Sequence, residues 1–324
     1  EHVSRMIPEL QYALGAWGRV VLLAASPQEP VGGRAITGGD LEVRGLTFRY
    51  DGEAAARRPP ALRDVELTFR RGRSYALIGR TGSGKSTLAK AVIRAVEPPR
   101  GTVFLGGVDL LDLDLEALRH WVAVVPQRTE ILAGTLAENV ALFEPELLPR
   151  AADAMAELGL QQWVHDLPDG MGTRLGEGGH VLSAGQEQLV AFARILVRDP
   201  QVVILDEATA RLDPVTEARV HAATQRLLTG RIGILIAHRL SSVRQCDEVV
   251  VLADGRVVEA GPLSTSQRFA DLLSAGRTGS AATVLGALPG STGLAVADAP
   301  AAAVAEDWDA DVLLDDDAPR ATDL

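Results

Sequence analysis

Nine consecutive residues, Gly79-Arg80-Thr81-Gly82-Ser83-Gly84-Lys85-Ser86-Thr87, combine the types that phosphate chemistry needs. Their spacing is G-x-x-x-x-G-K-[ST], in which glycines let the backbone curl until successive N–H groups converge on phosphate oxygens. Lys85 would reach the β/γ-phosphates with a compact ammonium, a point charge rather than a fork, and the Ser86 hydroxyl suits Mg2+. Of the 32 Lys and Arg residues only Lys85 and Lys90 are lysine, so an arginine-using chain keeps its ammonium where a phosphate loop needs one.

A second group follows. Val202-Val203-Ile204-Leu205 is an apolar run that ends in two adjacent carboxylates, Asp206 and Glu207. Acids at the carboxyl end of a buried parallel strand sit beside the phosphate loop in such folds. Asp206 suits an outer hold on Mg2+, while Glu207, just beyond the strand, can orient and activate an attacking water.

These side chains need a frame. Ser74 to Ile78 reads as a strand entering the glycine loop, and Leu88 to Ile93 has helical spacing leaving it. Leu41 to Phe48, Val65 to Phe69, Tyr75 to Ile78, Val122 to Val125, Val202 to Leu205, Ile232 to Ile236 and Glu248 to Leu252 read as strands separated by helical patterns. Short apolar strands alternating with helices imply an α/β fold with a largely parallel sheet. Ala151 to Leu158 reads as a helix opening a helical insertion that runs to about Arg198.

The ends differ from the middle. Ile7, Leu10, Leu14, Trp17 and Val21 share one face of a helix, and Ser26 to Gly39 collects Pro27, Pro30 and four glycines as a linker. Residues 278–324 carry nine acids against Arg320, a charge of −8 out of a total of −11. That segment cannot bury enough apolar area to offset its ordering entropy and is read as a disordered tail. With 47% hydrophobic residues, the near-neutral remainder holds ample core material and has no basic nucleic-acid-binding surface. The single cysteine, Cys246, excludes an internal disulfide and reads as a buried, inert thiol. No apolar run is long enough to span a membrane, and a start at Glu1 without a secretory pattern suggests a piece of a longer chain.

One string is more specific. Leu182-Ser183-Ala184-Gly185-Gln186 precedes the Asp206 strand, is followed by the helical pattern Leu189, Phe192, Ala193, Leu196, and resembles LSGGQ, the signature of the ATP-binding cassette (ABC) family. The resemblance covers roughly Leu41 to Pro262. Other marks stand in the family's order: Phe48-Arg49-Tyr50 resembles the aromatic loop that stacks on adenine, Gln127 lies at the Q-loop, Asp213 at the D-loop and His238 at the switch histidine. The resemblance implies an ABC ATPase fold, a P-loop NTPase-type sheet with an antiparallel β subdomain and a helical insertion at about 130–200. Residues 1–39 would then link from a preceding membrane domain, 40–270 would form the ATP-binding domain and 271–324 the tail.

The same resemblance implies the chemistry. ATP and Mg2+ would be bound by Tyr50, the loop from Gly79 to Thr87, Gln127, Asp206 and Asp213, with Ser86, Gln127 and Asp206 serving the metal. Ser183, Gly185 and Gln186, at a helix start, would touch the γ-phosphate bound by a second cassette paired head to tail. Glu207 and His238 would be catalytic. Thr173 to Gly179 resembles the TEVGERG segment of exporters, keeping Glu177 but differing at Arg174 and Gly178, and Gly134 to Asn139 resembles GTIxENI. These marks imply the nucleotide-binding domain of an exporter, partnered by a transmembrane domain at the cytoplasmic face of the cell membrane. Three departures stand out: Ala184 replaces a signature glycine, Ala210 replaces a serine and Arg211 sits within the D-loop. An altered signature beside intact Glu207 and His238 fits one half of a heterodimer, and a homodimer stays open. A soluble cassette ATPase acting on ribosomes or DNA and an ATP-binding regulatory module are the readings from other classes.

Overall fold

Alternate residues of one short strand explain the architecture. In Ser74–Ile78 (β3), Tyr75 and Leu77 pack into one hydrophobic cluster while Ala76 and Ile78 pack into another. Side chains alternate across a strand, so this sequence is apolar throughout because both of its faces are covered. The structure is a computed structural model that describes residues 14–21, 24–25, 32–50, 59–126, 129–206, 213–237 and 240–270.

Around β3 lies a six-stranded sheet with Val122–Val125 (β6), Val202–Asp206 (β9), Ile232–Ile236 (β10), Glu248–Ala253 (β11) and Arg256–Pro262 (β12), in the order β12-β11-β3-β10-β9-β6. Five strands are parallel, and β12 pairs antiparallel with β11. A separate antiparallel sheet joins Leu41–Phe48 (β1), Leu62–Phe69 (β2), Val103–Leu105 (β4) and Val108–Asp109 (β5) in the order β2-β1-β4-β5. This is the α/β fold with an antiparallel subdomain that the sequence implies.

Each face of the large sheet carries its own helices. Lys85–Val92 (α1) buries Leu88, Ala89, Ala91 and Val92 with the antiparallel sheet on one side. On the other, Leu136–Val140 (α3), Leu148–Glu157 (α4), Gln161–His165 (α5), Ala184–Arg198 (α6) and Pro214–Leu228 (α7) share a core that includes Met155, Trp163, Phe192 and Leu227. Phe192 is 1% exposed, and truncating such a residue to alanine costs about 3–5 kcal/mol. The short Leu115–Trp121 (α2), capped by Asp114, leads into β6.

Several boundaries differ from the sequence reading. β2 starts at Leu62 rather than Val65, because Leu62 pairs with Phe48 across a bulged register. The helix expected from Ala151 to Leu158 begins earlier, at Leu148. A two-stranded ribbon of Gly134–Thr135 (β7) and Arg174–Leu175 (β8) interrupts the helical insertion. Cys246 is buried, its Sγ donating to the Ser242 carbonyl at 3.9 Å, and it forms no disulfide. Residues 14–21 are helical with Leu14, Trp17 and Val21 exposed, whereas Ile7, Leu10 and the whole acidic tail lie outside the described residues. Among the described residues, no helix is long and apolar enough to cross a membrane.

Candidate nucleotide site

Parallel strands bring their carboxyl ends to one edge. Register aligns Leu77 of β3 with Ile236 of β10, and Ile236 with Asp206 of β9, so Asp206 lies two strands from the mouth of the glycine loop. At the usual strand spacing that is about 10 Å. The loop between β3 and α1 turns sharply at Gly82 and Gly84, both in the left-handed region. At Gly84 a side chain would also meet the Ala61 carbonyl at 2.7 Å, so the backbone there must be glycine. The crest, Arg80 to Gly82, is exposed, and no atom lies within 4 Å above Gly82.

Beyond the loop, the first turn of α1 has no capping side chain and no acidic residue. Its N–H groups therefore face the loop without a protein acceptor or negative charge, the condition under which a helix start attracts an anion. Lys85 is buried under the crest, where its Nζ donates to the carbonyls of Gly79 at 2.9 Å and Arg80 at 3.1 Å. An ammonium has three donors, so one remains for a phosphate oxygen. Burial lowers the Lys85 pKa, and the Asp206 charge opposes that shift. Ser86 follows at the helix start, half-buried. A hydroxyl and a carboxylate are hard oxygen donors that suit Mg2+ shared with phosphates and water, whereas no cluster of three acidic, His or Cys ligands exists among the described residues.

The aromatic residue expected near the base is also here. Tyr50 lies beside α1, its hydroxyl 3.2 Å from Thr87 Oγ1 and its ring edge-on to Phe48. Neither the Thr87 partner nor the Ala61 carbonyl behind Gly84 was identified from the sequence. Both depend on long-range strand pairing that no local pattern reports.

Ser183, Gly185 and Gln186 sit elsewhere. They open α6, which packs on the opposite face of the sheet from α1, so the structure does not bring them to the loop of the same chain. The Ser183 and Gln186 side chains each accept the other's backbone N–H in a capping box. Ser183 and Ala184 are exposed, as is neighbouring Val181 at 84%. Asp213 caps α7 by accepting from the Val215 and Thr216 N–H groups. Gln127, Glu207, Ala210, Arg211 and His238 lie outside the described residues.

Comparison with known proteins decides the family. The ABC transporter domain profile matches residues 62–210, from the second strand of the antiparallel sheet through the Asp206 strand. The ATP-dependent lipid A-core flippase of Aromatoleum aromaticum is 41% identical over 240 residues, covering 74% of this chain and 38% of that protein. The chain belongs to the ABC transporter family.

A further relative and a solved exporter structure also match. An uncharacterised ABC transporter ATP-binding protein of Bacillus subtilis, YknV, is 39% identical over 227 residues, covering 69% of this chain and 36% of the relative. A solved structure of a bacterial Atm1-family ABC exporter with ATP bound matches with TM-score 0.67 and 28% identity, covering 85% of this chain and 47% of that one. The ABC domain described here thus spans well under half the length of the curated relatives it matches.

Proposed function

We propose that this chain is the ATP-hydrolysing domain of an exporter, acting in a head-to-tail pair of cassettes joined to a membrane domain at the cytoplasmic face. One observation carries the reading: the uncapped start of α1 meets the buried Lys85 ammonium beneath an open glycine crest, with Asp206 at the same sheet edge. Gly79 to Thr87 hold the phosphates, Lys85 donating to the β/γ oxygens, and Tyr50 stacks on the adenine. Ser86, Gln127 and Asp206 hold Mg2+, which neutralises charge on the phosphate oxygens.

Hydrolysis rests on positioning and charge stabilisation. Glu207 orients the attacking water and accepts its proton, and His238, which follows β10 in the sequence, steadies the γ-phosphate. Ser183, Gly185 and the α6 start of one protomer complete the site of its partner, because within one chain they lie across the sheet from the loop. Asp213 lies at the pair's interface. The pair closes on nucleotide and reopens after hydrolysis, a two-state element that can drive membrane helices. Selection of the transported substrate belongs to those helices.

Phosphate release from Mg-ATP by the purified chain tests this directly. Release that disappears in Glu207→Gln while nucleotide binding persists supports the assignment; a wild-type chain that binds nucleotide but releases no phosphate at any protein concentration sinks it.

A further inference from the structure

Asn139 is a polar residue between the buried Leu136 and Val140 of the short helix α3 and has no solvent exposure. Its side chain is nonetheless fully used. Oδ1 accepts from the Leu132 N–H at 2.9 Å and from Arg194 Nη2 at 3.0 Å, while Nδ2 donates to the carbonyls of Leu132 at 2.9 Å and Thr135 at 3.1 Å. Arg194 Nε donates to the Asn139 carbonyl at 2.8 Å, so one guanidinium grips one residue through two oxygens. Among the described residues no carboxylate pairs with Arg194, so these neutral oxygens are the partners that its fork engages. Burial holds its pKa below the ordinary value.

The two residues lie on helices that also share the core on this face of the sheet, where apolar contacts hold them together without fixing a register. Asn139 anchors residues 129–135, which follow β6 and its carboxyl end at Val125, one strand from Asp206. Residues 134–135 also pair with Leu175 and Arg174, and the Leu136 N–H donates to the Thr173 carbonyl, fixing this segment laterally. Arg194 lies on α6, three turns beyond Ser183, a distance of about 16 Å along the helix axis. We infer that Asn139 and Arg194 are positioning residues that lock segment 129–135 to the signature helix, so that a displacement at the nucleotide edge of the sheet reaches Ser183 as a rigid shift of α6. An apolar residue at 139 would fill the same space, but only a satisfied amide gripped by a planar fork fixes the register between the two parts.

The inference rests on the nucleotide reading for its consequence, not for its first test. In the nucleotide-free full chain, hydrogen exchange of the Leu132 amide, which is bonded to Asn139, is compared between wild type and Arg194→Lys, which keeps the charge but loses the fork. We expect Leu132 to exchange roughly 2- to 10-fold faster in the variant, the loss of one net hydrogen bond, with the melting transition retained. The second test adds Mg-AMPPNP: in wild type, residues 129–135 and 183–187 gain protection together, and in Arg194→Lys the first gain persists while the second is reduced. For phosphate release, kcat falls and KM stays. Arg194→Gln serves the same comparison should the lysine variant melt early. Unchanged Leu132 exchange in the folded variant overturns the lock, as does independent protection of the two segments in wild type. A wild-type chain without phosphate release, but with faster Leu132 exchange in the variant, sinks the hydrolysis reading and leaves the lock standing.

Discussion

The Tyr50 hydroxyl lies 3.2 Å from Oγ1 of Thr87, tying the aromatic loop after β1 to the third residue of the helix that starts at the phosphate loop. Thr87 is buried and Tyr50 remains 40% exposed, so the hydroxyl is fixed while a ring face stays open. On the proposed reading of Tyr50, the base site is thereby held at a set distance from the phosphate loop, the antiparallel sheet contributing the first and the parallel sheet the second.

Tyr50→Ala is expected to weaken nucleotide binding by roughly 5- to 150-fold, the range of one base-aromatic stack. Tyr50→Phe keeps the ring and loses only one partly exposed hydrogen bond, so affinity should stay within about threefold. Titration of a fluorescent ATP analogue checks both. Equal losses in the two variants would mean that the hydroxyl, not the ring, matters.

Lys85 sits in a cradle of two carbonyls at 2.9 and 3.1 Å. Replacing it with alanine removes a charge-assisted contact to phosphate, a loss of roughly 10- to 150-fold in affinity. Lys85→Arg should do nearly as badly, because a planar fork cannot occupy a space shaped for one ammonium. Calorimetric titration with Mg-ATP separates the cases: recovery of affinity by arginine would show that charge alone suffices.

Much of this site was legible because its chemistry is local. The glycine loop, Lys85 and Ser86 are contiguous, and Asp206 ends an apolar run, so spacing alone placed them on a loop and at a strand end. Five of the seven expected strands begin at the residue predicted: β6, β9, β10 and β11 are near-continuous apolar runs of the covered parallel sheet, and β1 alternates apolar with polar residues over its first four positions. The short β4, β5, β7 and β8 were missed, having too few residues to show a period. Leu142 and Phe143, both in the left-handed region, could not be foreseen either, because neither type favours that backbone. Asn139 ends the segment that resembles GTIxENI, yet its hold on Arg194 depends on contact between residues far apart in the chain. Linear pattern reports which face a residue takes but not its partner across the core.

Acid should act through two helix caps. The N–H and then the hydroxyl of Thr135 hold the Glu138 pKa below its usual value, and the side chain and then the N–H of Thr216 do the same for Asp213. A carboxylate depressed in the folded state stabilises above its unfolded pKa, about 4, and that contribution is lost as pH falls through the lower folded value. The melting temperature should therefore fall more steeply below pH 4 in wild type than in a Glu138→Gln, Asp213→Asn double variant, whose amides still cap but take up no proton. Parallel curves from pH 7 to pH 2.5 would show that other groups control acid stability.

Ala184 bears on pairing. It occupies the first position of α6, is exposed, and is not among the residues with positive φ, so its methyl group causes no backbone strain and projects from the signature surface. Within one protomer, Ala184→Gly should reduce stability by less than about 1 kcal/mol, the helix preference of alanine over glycine. Between protomers, removing the methyl lets the backbone after Ser183 approach a partner's phosphates more closely. In a Glu207→Gln background that blocks hydrolysis, sedimentation velocity with Mg-ATP should then show a larger dimer fraction for the Ala184→Gly variant than for Ala184. Equal dimer fractions would make the alanine a neutral replacement. A chain that binds ATP yet stays monomeric with either residue would require a different second half or the membrane domain for pairing, which is the arrangement an altered signature beside an intact glutamate suggests.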